Sequence, residues 1–336
     1  MTRIAVVGAG IVGATIAHYA TRRGADVTLI DPGPPATSAT GASFGWIGES
    51  VLPGGVLREW RRLEETVPGV GVSWTGSLTW PAPPHPPGAT TLVDGTLVDG
   101  TPIDAALVDA ARIAALQPRL RTVPASAVHR REDGALDPRA VIAAVTAGIT
   151  RTTATATAVH AHGVETTAGL VPADTTIVAA GAATPALCGV LLPIGTAPAA
   201  LVRYDAPPGL INTVLSGPDL EIRQAPDGEL LAPSDCSAHP GRAELDAIAR
   251  RTTGAITATL DGTDTIRLRG VQVGHRPMPA DGNPVIGPLD DHLYVAVMHS
   301  GVTLAPLAAR LITQEILDRH EAPELAAVRP TRFGVS

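Results

Sequence analysis

The chain has 336 residues, of which 45% are hydrophobic and 17% charged, with 35 glycines and 31 prolines. This composition is typical of a globular protein with many tight turns, and the length is enough for one large or two ordinary domains. The formal charge of −7 argues against nucleic-acid binding through phosphate neutralisation.

All 25 basic residues are arginines, because the chain contains no lysine. A pyridoxal-phosphate enzyme needs a lysine for its Schiff base, and a Walker-type phosphate loop and a protein kinase each need one as well. The sequence therefore excludes these three chemistries.

The cysteines and the apolar runs indicate the compartment. Cys188 and Cys236 stand far apart and form no CxxC pair, and the histidines show no metal-ligand spacing, so we predict neither a disulfide framework nor a metal site. No apolar run reaches about 18 residues without a glycine, proline or charge, which argues against a membrane span. The first residues already follow a strand pattern, so we expect no signal peptide and a cytoplasmic protein.

The first thirty residues have the pattern of a strand, a glycine-rich turn, a helix and a second strand. The apolar residues 4–7 run into Gly-Ala-Gly-Ile-Val-Gly at 8–13, helical spacing follows over 14–23, and the apolar residues 27–30 end at Asp31. A GxGxxG in this context, with an acid some twenty residues further on, is typical of dinucleotide binding.

Each glycine of this motif has a physical role. Gly8 permits the tight turn, Gly10 has no side chain to keep a pyrophosphate from the helix N-terminus, and Gly13 lets the helix pack on the strand. A βαβ unit without a ligand remains the alternative. Asp31 would repel the 2′-phosphate of NADP, but it does not separate NAD from FAD.

Further elements follow along the chain. Residues 37–48, here called the small-residue loop, are small, polar and glycine-rich and could lie against a planar ligand. Asp133 and Gly134 are typical of a turn, and Asp137 and Pro138 of an N-cap and a first helical position. The patterns predict helices at 57–66, 104–116 (with Asp104 near its start), 139–149 and 307–318, strands at 152–157, 164–167, 173–181 and 293–297, and a hairpin of 220–223 with 230–232.

Several of these motifs occur in one order and together resemble a known family. They are the opening fingerprint, the small-residue loop around Ser43, the strand ending at Gly181, an Arg-Pro to Ile-Gly run at 276–287, a His-Ser-Gly to Leu-Ala-Pro run at 299–306, and the tail at 329–333. The set resembles the D-amino-acid oxidase superfamily of FAD-dependent amine oxidoreductases, in its glycine oxidase and sarcosine oxidase branch. Residues 196–265 match only in their hairpin.

The resemblance implies an α/β fold, with a Rossmann-type FAD-binding domain and an α+β substrate domain that has an antiparallel sheet. The FAD-binding domain would be discontinuous, formed by 1–75, 133–195 and 278–336. The substrate domain would comprise 76–132 and 196–277, and the flavin would lie where the two meet.

The resemblance also assigns site residues. Arg276 would pair with the substrate carboxylate, a role that suits its planar, always-charged guanidinium. His299, in the His-Ser-Gly run, is a second candidate catalytic residue, with a role near the flavin edge as one interpretation. The amides at the start of the last helix would face the flavin ring. The cofactor-binding residues would be Gly8, Gly10, Ile11, Val12, Gly13, Asp31, Pro32, Ser43, Phe44, Gly45, Trp46, Ala180, Gly181, Gly301, Val302, Thr303 and Leu304.

Other interpretations of single residues stay open. Arg276 could form a structural ion pair, and His299 could be a satisfied histidine at a helix start. Arg223 on the hairpin is either a surface residue or a weak pocket candidate. Trp46 would shield the flavin or belong to the core, and Tyr204 is a candidate lid residue by type alone.

The implied activity is oxidation of the C–N bond of an amino acid or a carboxylate-bearing secondary amine to an imine. Hydride would pass to flavin N5, and O2 would reoxidise the flavin to give H2O2. The FAD would be non-covalent, because Gly274 and Phe44 stand where relatives carry the cysteine or histidine that tethers flavin. Some family oxidases activate oxygen with a lysine, which this chain lacks.

Three alternatives accompany this prediction. The first is a dehydrogenase of the same fold with a non-oxygen acceptor. The second is a flavin-binding partner subunit without turnover of its own. The third is an NAD-binding Rossmann protein.

Overall fold

The fold is described from a computed structural model, which covers residues 1–34, 37–48, 52–81 and 105–335. The helices in these ranges are α1 (Ile11–Arg22), α2 (Val56–Thr66), α3 (Ala110–Leu116), α4 (Pro138–Val145), α5 (Thr184–Leu187), α6 (Arg242–Thr259) and α7 (Gly301–Asp318), with 3-10 helices at Gly181–Ala183, Pro323–Val328 and Pro330–Phe333.

The strands in the same ranges are, in chain order, β1 (Arg3–Val7), β2 (Asp26–Asp31), β3 (Trp46–Ile47), β4 (Val72–Ser73), β5 (Ser77–Thr79), β6 (Ala105–Asp109), β7 (Ser126–Arg130), β8 (Gly134–Leu136), β9 (Thr150–Thr153), β10 (Ala156–His160), β11 (Gly163–Thr166), β12 (Gly169–Pro172), β13 (Thr175–Val178), β14 (Ile194–Asp205), β15 (Val214–Ser216), β16 (Glu221–Gln224), β17 (Leu230–Asp235), β18 (Arg267–Pro279), β19 (Val285–Pro288) and β20 (Leu293–Val297).

A parallel sheet carries the N-terminal motif. Its order is β19-β20-β13-β1-β2-β9, and only the edge strand β19 runs antiparallel to its neighbour. Strand β1 lies at its centre because residues 4–7 are apolar on both faces and are buried there. Helices α1, α2, α4 and α7 cover one face in a shared core that includes Trp60. The small antiparallel sheet β10-β11-β12 contributes to the core on the other face.

A second, larger sheet faces this assembly. It has the order β18-β14-β17-β16-β15-β5-β7-β6 and is antiparallel except where β15 pairs with β5. Helices α3 and α6 pack on its outer face around Tyr204 and Ile222. The predicted fold class is confirmed: the molecule combines a parallel α/β sheet with antiparallel sheets. Its domain boundaries stay predictions, and β14 and β18 run across the expected limits at 195–196 and 277–278.

Four sequence predictions between residues 104 and 204 need correction. The segment predicted as a helix from Asp104 is a strand over 105–109, and the helix starts only at Ala110, where the carboxylate of Asp109 accepts from the amide of Arg112; Asp104 itself lies outside the described residues. The strand predicted over 152–157 is two strands of different sheets. The helix predicted to reach residue 149 ends at Val145.

The fourth correction is Tyr204, which is not a lid residue. Its side chain is fully buried, and its hydroxyl lies 3.0 Å from the Thr253 hydroxyl on α6. It therefore joins the larger sheet to the helix behind it.

Among the described residues, no helix combines the length and the apolar character that crossing a bilayer requires.

Candidate functional site

The turn between β1 and α1 has the close contacts that its glycines predict. Gly8 adopts φ +108°, and a Cβ there would lie 2.4 Å from the backbone oxygen of Ala179. A Cβ at Gly13 would lie 2.0 Å from the backbone oxygen of Gly8. Both positions are closed to any side chain, since real Cβ contacts do not come below about 3 Å.

Gly10 differs, because its missing side chain leaves room. It precedes α1 in extended backbone, and the only close neighbour of a Cβ there would be the hydroxyl of Thr40, at 3.2 Å. That hydroxyl accepts from the Ile11 amide at 3.1 Å. Within the described residues, the next two helical amides, of Val12 and Gly13, have no hydrogen-bond acceptor. Free amides at a helix N-terminus are able to bind an anion.

Asp31 ends β2 beside this turn. Its carboxylate accepts from the amide of Ala9 at 2.8 Å and from the amide of Gly33 at 3.0 Å. Two oxygens have room for more partners than these, so the group can still accept from a ribose hydroxyl. The next residue, Pro32, is exposed.

Two distant segments meet the same turn. Ala180 follows β13, and its Cα would lie 3.0 Å from a Cβ at Gly8. Gly181 then turns the chain away with φ +57°. At the start of α7, a Cβ on Gly301 would lie 3.2 Å from Val12. The structure therefore brings together the predicted residues of the early, middle and late segments.

The small-residue loop lies between the parallel sheet and the larger sheet. The Ser43 hydroxyl accepts from the amide of Gly45 at 3.2 Å, and Gly45 itself has φ +75°. Arg223, on β16, donates to the backbone oxygen of Phe44 and, at 2.8 Å, to that of Leu136. Arg223 is only 4% exposed, so its interpretation as a surface residue is wrong.

Trp46 is held by a carboxylate that the sequence marked only as a turn. Its indole donates to Asp133 at 3.0 Å, and the hydroxyl of Ser77 donates to the same oxygen at 2.6 Å. The hydroxyl of Thr303 donates to the backbone oxygen of Trp46 at 3.2 Å. A cavity of about 260 Å³ opens here, lined by Trp46, Gly48, Arg130, Asp133 and Thr303.

A larger cavity, of about 420 Å³, lies beyond the far end of α7 around Tyr294, Glu315 and Arg329. None of the predicted site residues lines it. Its buried charges are already paired, since Arg329 donates to Glu315 through two nitrogens. It is therefore not the candidate site.

Arg276 lies on β18, on the face of the larger sheet that meets the small-residue loop. Two residues before it, a Cβ on Gly274 would come 2.8 Å from the Cβ of Ala42. The Arg276 guanidinium donates through Nε to the backbone oxygen of Ala197 at 3.3 Å. Within the described ranges no carboxylate pairs with it. This observation disfavours the structural ion pair.

His299 immediately precedes α7. Partial burial lowers its pKa, and the positive charge of Arg276 lowers it further. The imidazole is therefore neutral at pH 7, and it lies close enough for the charge of Arg276 to act on it. The remaining predicted residues of this segment, Val302, Thr303 and Leu304, are buried in the first turn of α7.

Glu221 is a further charged residue that the sequence did not single out. It lies on β16, two residues before Arg223, and burial raises its pKa to about 7, while the charge of Arg276 acts in the opposite direction. Only the pairing of distant strands places it near Arg276. No cluster of His, Cys, Asp and Glu suited to a metal ion occurs among the described residues.

Comparison with known proteins gives a family and a fold. Residues 3–315 match the family described as FAD dependent oxidoreductase. No curated protein matched this chain.

Solved structures match nearly the full length. Glycine oxidase from Geobacillus kaustophilus is 20% identical with a TM-score of 0.81, covering 99% of each chain. L-amino acid deaminase from Proteus vulgaris, with its specific insertion sequence deleted, is 18% identical with a TM-score of 0.82, covering 99% of this chain and 94% of its own. L-proline dehydrogenase from P. horikoshii is 18% identical with a TM-score of 0.80, covering 99% and 98%. At these identities the likeness is one of fold.

Proposed function

Because the chain belongs to the family of FAD-dependent oxidoreductases, we propose that it oxidises the C–N bond of an amino acid or of a secondary amine that bears a carboxylate. The product is an imine, which water hydrolyses after release. Glycine oxidase, L-amino acid deaminase and L-proline dehydrogenase share the fold, which supports this substrate class.

The residues around the first turn fit the cofactor. A pyrophosphate at Gly10 meets no side chain of that residue, and the unpaired amides of Val12 and Gly13 can donate to it. Asp31 has acceptor capacity left for the ribose. When bound, FAD supplies the two-electron oxidation of the substrate C–N bond.

The surroundings of Gly274 support non-covalent binding of the FAD. The position two residues before Arg276, where sarcosine oxidases carry their tethering cysteine, is a glycine with no room for a side chain, since Ala42 lies in the way. At the position where other relatives carry a histidine that tethers the flavin, this chain has Phe44. Acid precipitation should release the yellow colour into the supernatant; colour that stays with the pellet would contradict this.

The observation that carries the substrate assignment is the guanidinium of Arg276. Its strand position puts it on the sheet face that meets the small-residue loop, and no carboxylate of the described chain pairs with it. It can therefore bind a substrate carboxylate through two parallel hydrogen bonds. His299 stays neutral beside it and can donate or accept a hydrogen bond without repelling the substrate's amino group.

The amides that open α7 face the same region. Gly301 and Val302 belong to the first turn of a helix of 18 residues, where free N–H groups and the dipole favour negative charge. With FAD bound, this end of the helix would stabilise negative charge on the flavin ring.

We propose O2 as the electron acceptor, with H2O2 as the product. The absence of lysine from the chain favours the second candidate, a dehydrogenase with another acceptor, because some oxidases of this fold use a lysine for oxygen. The rate of flavin reoxidation in air-saturated buffer separates the two candidates. Rapid reoxidation with stoichiometric H2O2 supports the oxidase.

The proposed function is tested by an anaerobic screen of amino acids and amines that records loss of flavin absorbance. A carboxylate-bearing amine should reduce the flavin, and Arg276→Ala should raise its KM about a hundredfold. Arg267→Ala, at the exposed start of the same strand, is the matched control and should behave as the unmodified protein. Unchanged KM values for every carboxylate substrate in Arg276→Ala would remove this assignment.

A further inference from the structure

Glu221 lies on the inner face of the larger sheet. Side chains alternate along a strand, so Glu221 shares its face with Arg223, which contacts the small-residue loop through Phe44. Arg223 lies opposite Leu231, and Leu231 lies opposite Arg203 on β14, whose guanidinium reaches the backbone oxygen of Gly41. Three neighbouring strands therefore present this face to the same loop.

Arg276 belongs to this face as well. On β18, Gly274 packs against Ala42 of the small-residue loop, and Arg276 follows two residues later with the same orientation. Strands β14 and β17 separate β18 from β16. Glu221 and Arg276 thus lie on one face of the sheet, and the guanidinium is close enough for its charge to act on the carboxylate.

Within the described residues, the carboxylate of Glu221 makes no hydrogen bond and no ion pair. It is nevertheless largely buried, and this burial raises its pKa to about 7. A largely buried carboxylate without a partner is costly to ionise unless a cation comes to it. Arg276 on β18 is the charged group that acts on Glu221, and Arg223 shares its strand and face. Arg276 in turn acts on Cys236, which follows β17, and on His299 before α7.

We propose that Glu221 binds the amino group of the substrate while Arg276 binds its carboxylate. This assignment rests on the proposed function and deepens it, because it names the substrate class. The site takes a small zwitterion whose ammonium and carboxylate groups lie close together, and it discriminates against carboxylates that lack the amine. A second carboxylate on the substrate, placed toward Glu221, would be repelled.

We also propose that Glu221 accepts a proton from the substrate ammonium group before the C–N bond is oxidised. An ammonium nitrogen has no free electron pair, so it must lose a proton before the C–N bond can be oxidised. In this step an N–H bond of the ammonium breaks, an O–H bond forms on Glu221, and the electron pair stays on nitrogen. A carboxylate with a raised pKa is a better acceptor for this proton than an ordinary one.

The test compares Glu221→Gln with the unmodified FAD-bound protein. The flavin is reduced with dithionite beforehand, so that no amino acid can react during the titration. The probes are two matched pairs, glycine with acetate and L-proline with cyclopentanecarboxylate, titrated by calorimetry at pH 8.5 without oxygen. We expect Glu221→Gln to weaken the binding of the amino acids about tenfold, while the amine-free carboxylates bind equally well or more tightly. Glu165→Gln, an exposed carboxylate on β11, is the control and should change neither.

Opposite changes in the two members of a pair distinguish this contact from a structural role, which would move both in one direction. A second readout is the pH profile: amino-acid affinity should rise through about pH 7 in the unmodified protein and lose this rise in Glu221→Gln. Should the Gln variant not fold, Glu221→Asp gives the same comparison, with a smaller weakening.

Equal effects on both members of a pair, or no effect on either, would overturn the assignment of Glu221. In that case the proposed function stands if Arg276→Ala still raises KM. If no amine reduces the flavin of the unmodified protein, the proposed function itself fails.

Discussion

Thr303 on α7 donates its hydroxyl hydrogen to the backbone oxygen of Trp46, 3.2 Å away and 257 residues earlier in the chain. The bond joins the helix start that would face the flavin ring to the loop that would line it. The backbone oxygen of Thr303 in turn accepts from the buried indole of Trp60, at 2.9 Å. This residue therefore holds the two sides of the proposed flavin site in register.

We expect Thr303→Val to weaken FAD binding about fivefold, because one hydrogen bond of roughly 1 kcal/mol is lost while the side-chain volume is kept. The backbone bond to Trp60 is retained. Fluorescence titration of the apoprotein with FAD measures the change. Thr313→Val is the control: it lies on the same helix, and its hydroxyl donates to Ala309 at 2.8 Å, far from the loop. Equal losses of FAD affinity in both variants would contradict the link.

Alanine variants of the glycines at the first turn should distinguish an effect on FAD affinity from an effect on the stability of the fold. Gly10→Ala meets only the Thr40 hydroxyl, at 3.2 Å, so the apoprotein should keep its melting temperature within a few degrees. FAD affinity should fall at least about tenfold, since the new methyl group occupies the space of the pyrophosphate.

Gly13→Ala should instead unfold the apoprotein at a clearly lower temperature, because its Cβ would lie 2.0 Å from a backbone oxygen. Gly71→Ala, with no atom within 4 Å, is the control for both variants. Calorimetry of each apoprotein, followed by FAD titration, measures the two effects. Undiminished FAD binding in Gly10→Ala would show that the pyrophosphate lies elsewhere.

The buried carboxylate of Glu221 makes stability depend on pH in a defined direction. Its pKa in the folded protein is about 7, against an ordinary value of 4.5. Between these values the folded state holds a proton that the unfolded state has released, so the free energy of unfolding must fall as pH rises from 4.5 to 7.

Glu221→Gln should remove this decline. Because the side chain is partly exposed, we expect the unmodified protein to lose on the order of 1–2 kcal/mol relative to the variant across this interval. Urea unfolding of both proteins at pH 5 and at pH 7.5 gives the comparison. Parallel stability curves for the two proteins would show that Glu221 titrates normally.

Arg223 should matter for folding and for the flavin environment together. Its guanidinium is buried and donates to two backbone oxygens, of Phe44 and Leu136, and burial lowers its pKa to about 10. Arg223→Met leaves both oxygens without a donor, and we expect a loss of about 2–4 kcal/mol of stability and a shifted flavin spectrum.

The control for Arg223 is Arg269→Met on the exposed end of β18. Arg269 is exposed and pairs with Asp205 and with Glu229, which keeps Arg203 as a partner when Arg269 is replaced, so the loss of stability should be small. Denaturant midpoints and the visible spectrum of both variants measure the difference. A loss for Arg223→Met no greater than for Arg269→Met would contradict the proposed support of the loop.

The start of the chain could be predicted because its signals are local. The apolar run, the glycines and Asp31 lie within thirty residues, and the structure has β1, α1 and β2 there within a few residues of the expected bounds. The strand at 293–297 was predicted to the residue. Helix α7 was predicted from 307, but it begins at Gly301, since Pro306 is accommodated inside the helix.

The remaining features depend on pairing between distant segments. Strand β18 carries prolines at 277 and 279 and had no strand signal, yet it pairs along its length with β14. Asp133 read as half of an Asp-Gly turn, while its role as acceptor for Trp46 follows only from the meeting of β8 with β3. Glu221 on β16 comes within range of the Arg276 charge only through the strand order β18-β14-β17-β16. No periodicity in the sequence records such a relationship.

Two exposed glycines offer a test of backbone conformation without any change of contact. A Cβ at Gly254, in the interior of α6, or at Gly209, in a turn before β15, would meet nothing within 4 Å. Gly254 has ordinary helical backbone, whereas Gly209 has φ +81°. We expect Gly254→Ala to raise the free energy of unfolding by about 0.5–1 kcal/mol, because alanine favours the helix. Gly209→Ala should lower it by about 1 kcal/mol, because its left-handed backbone strains any Cβ. Urea midpoints measure both, and changes of the same sign would contradict the backbone conformation of one of the two glycines.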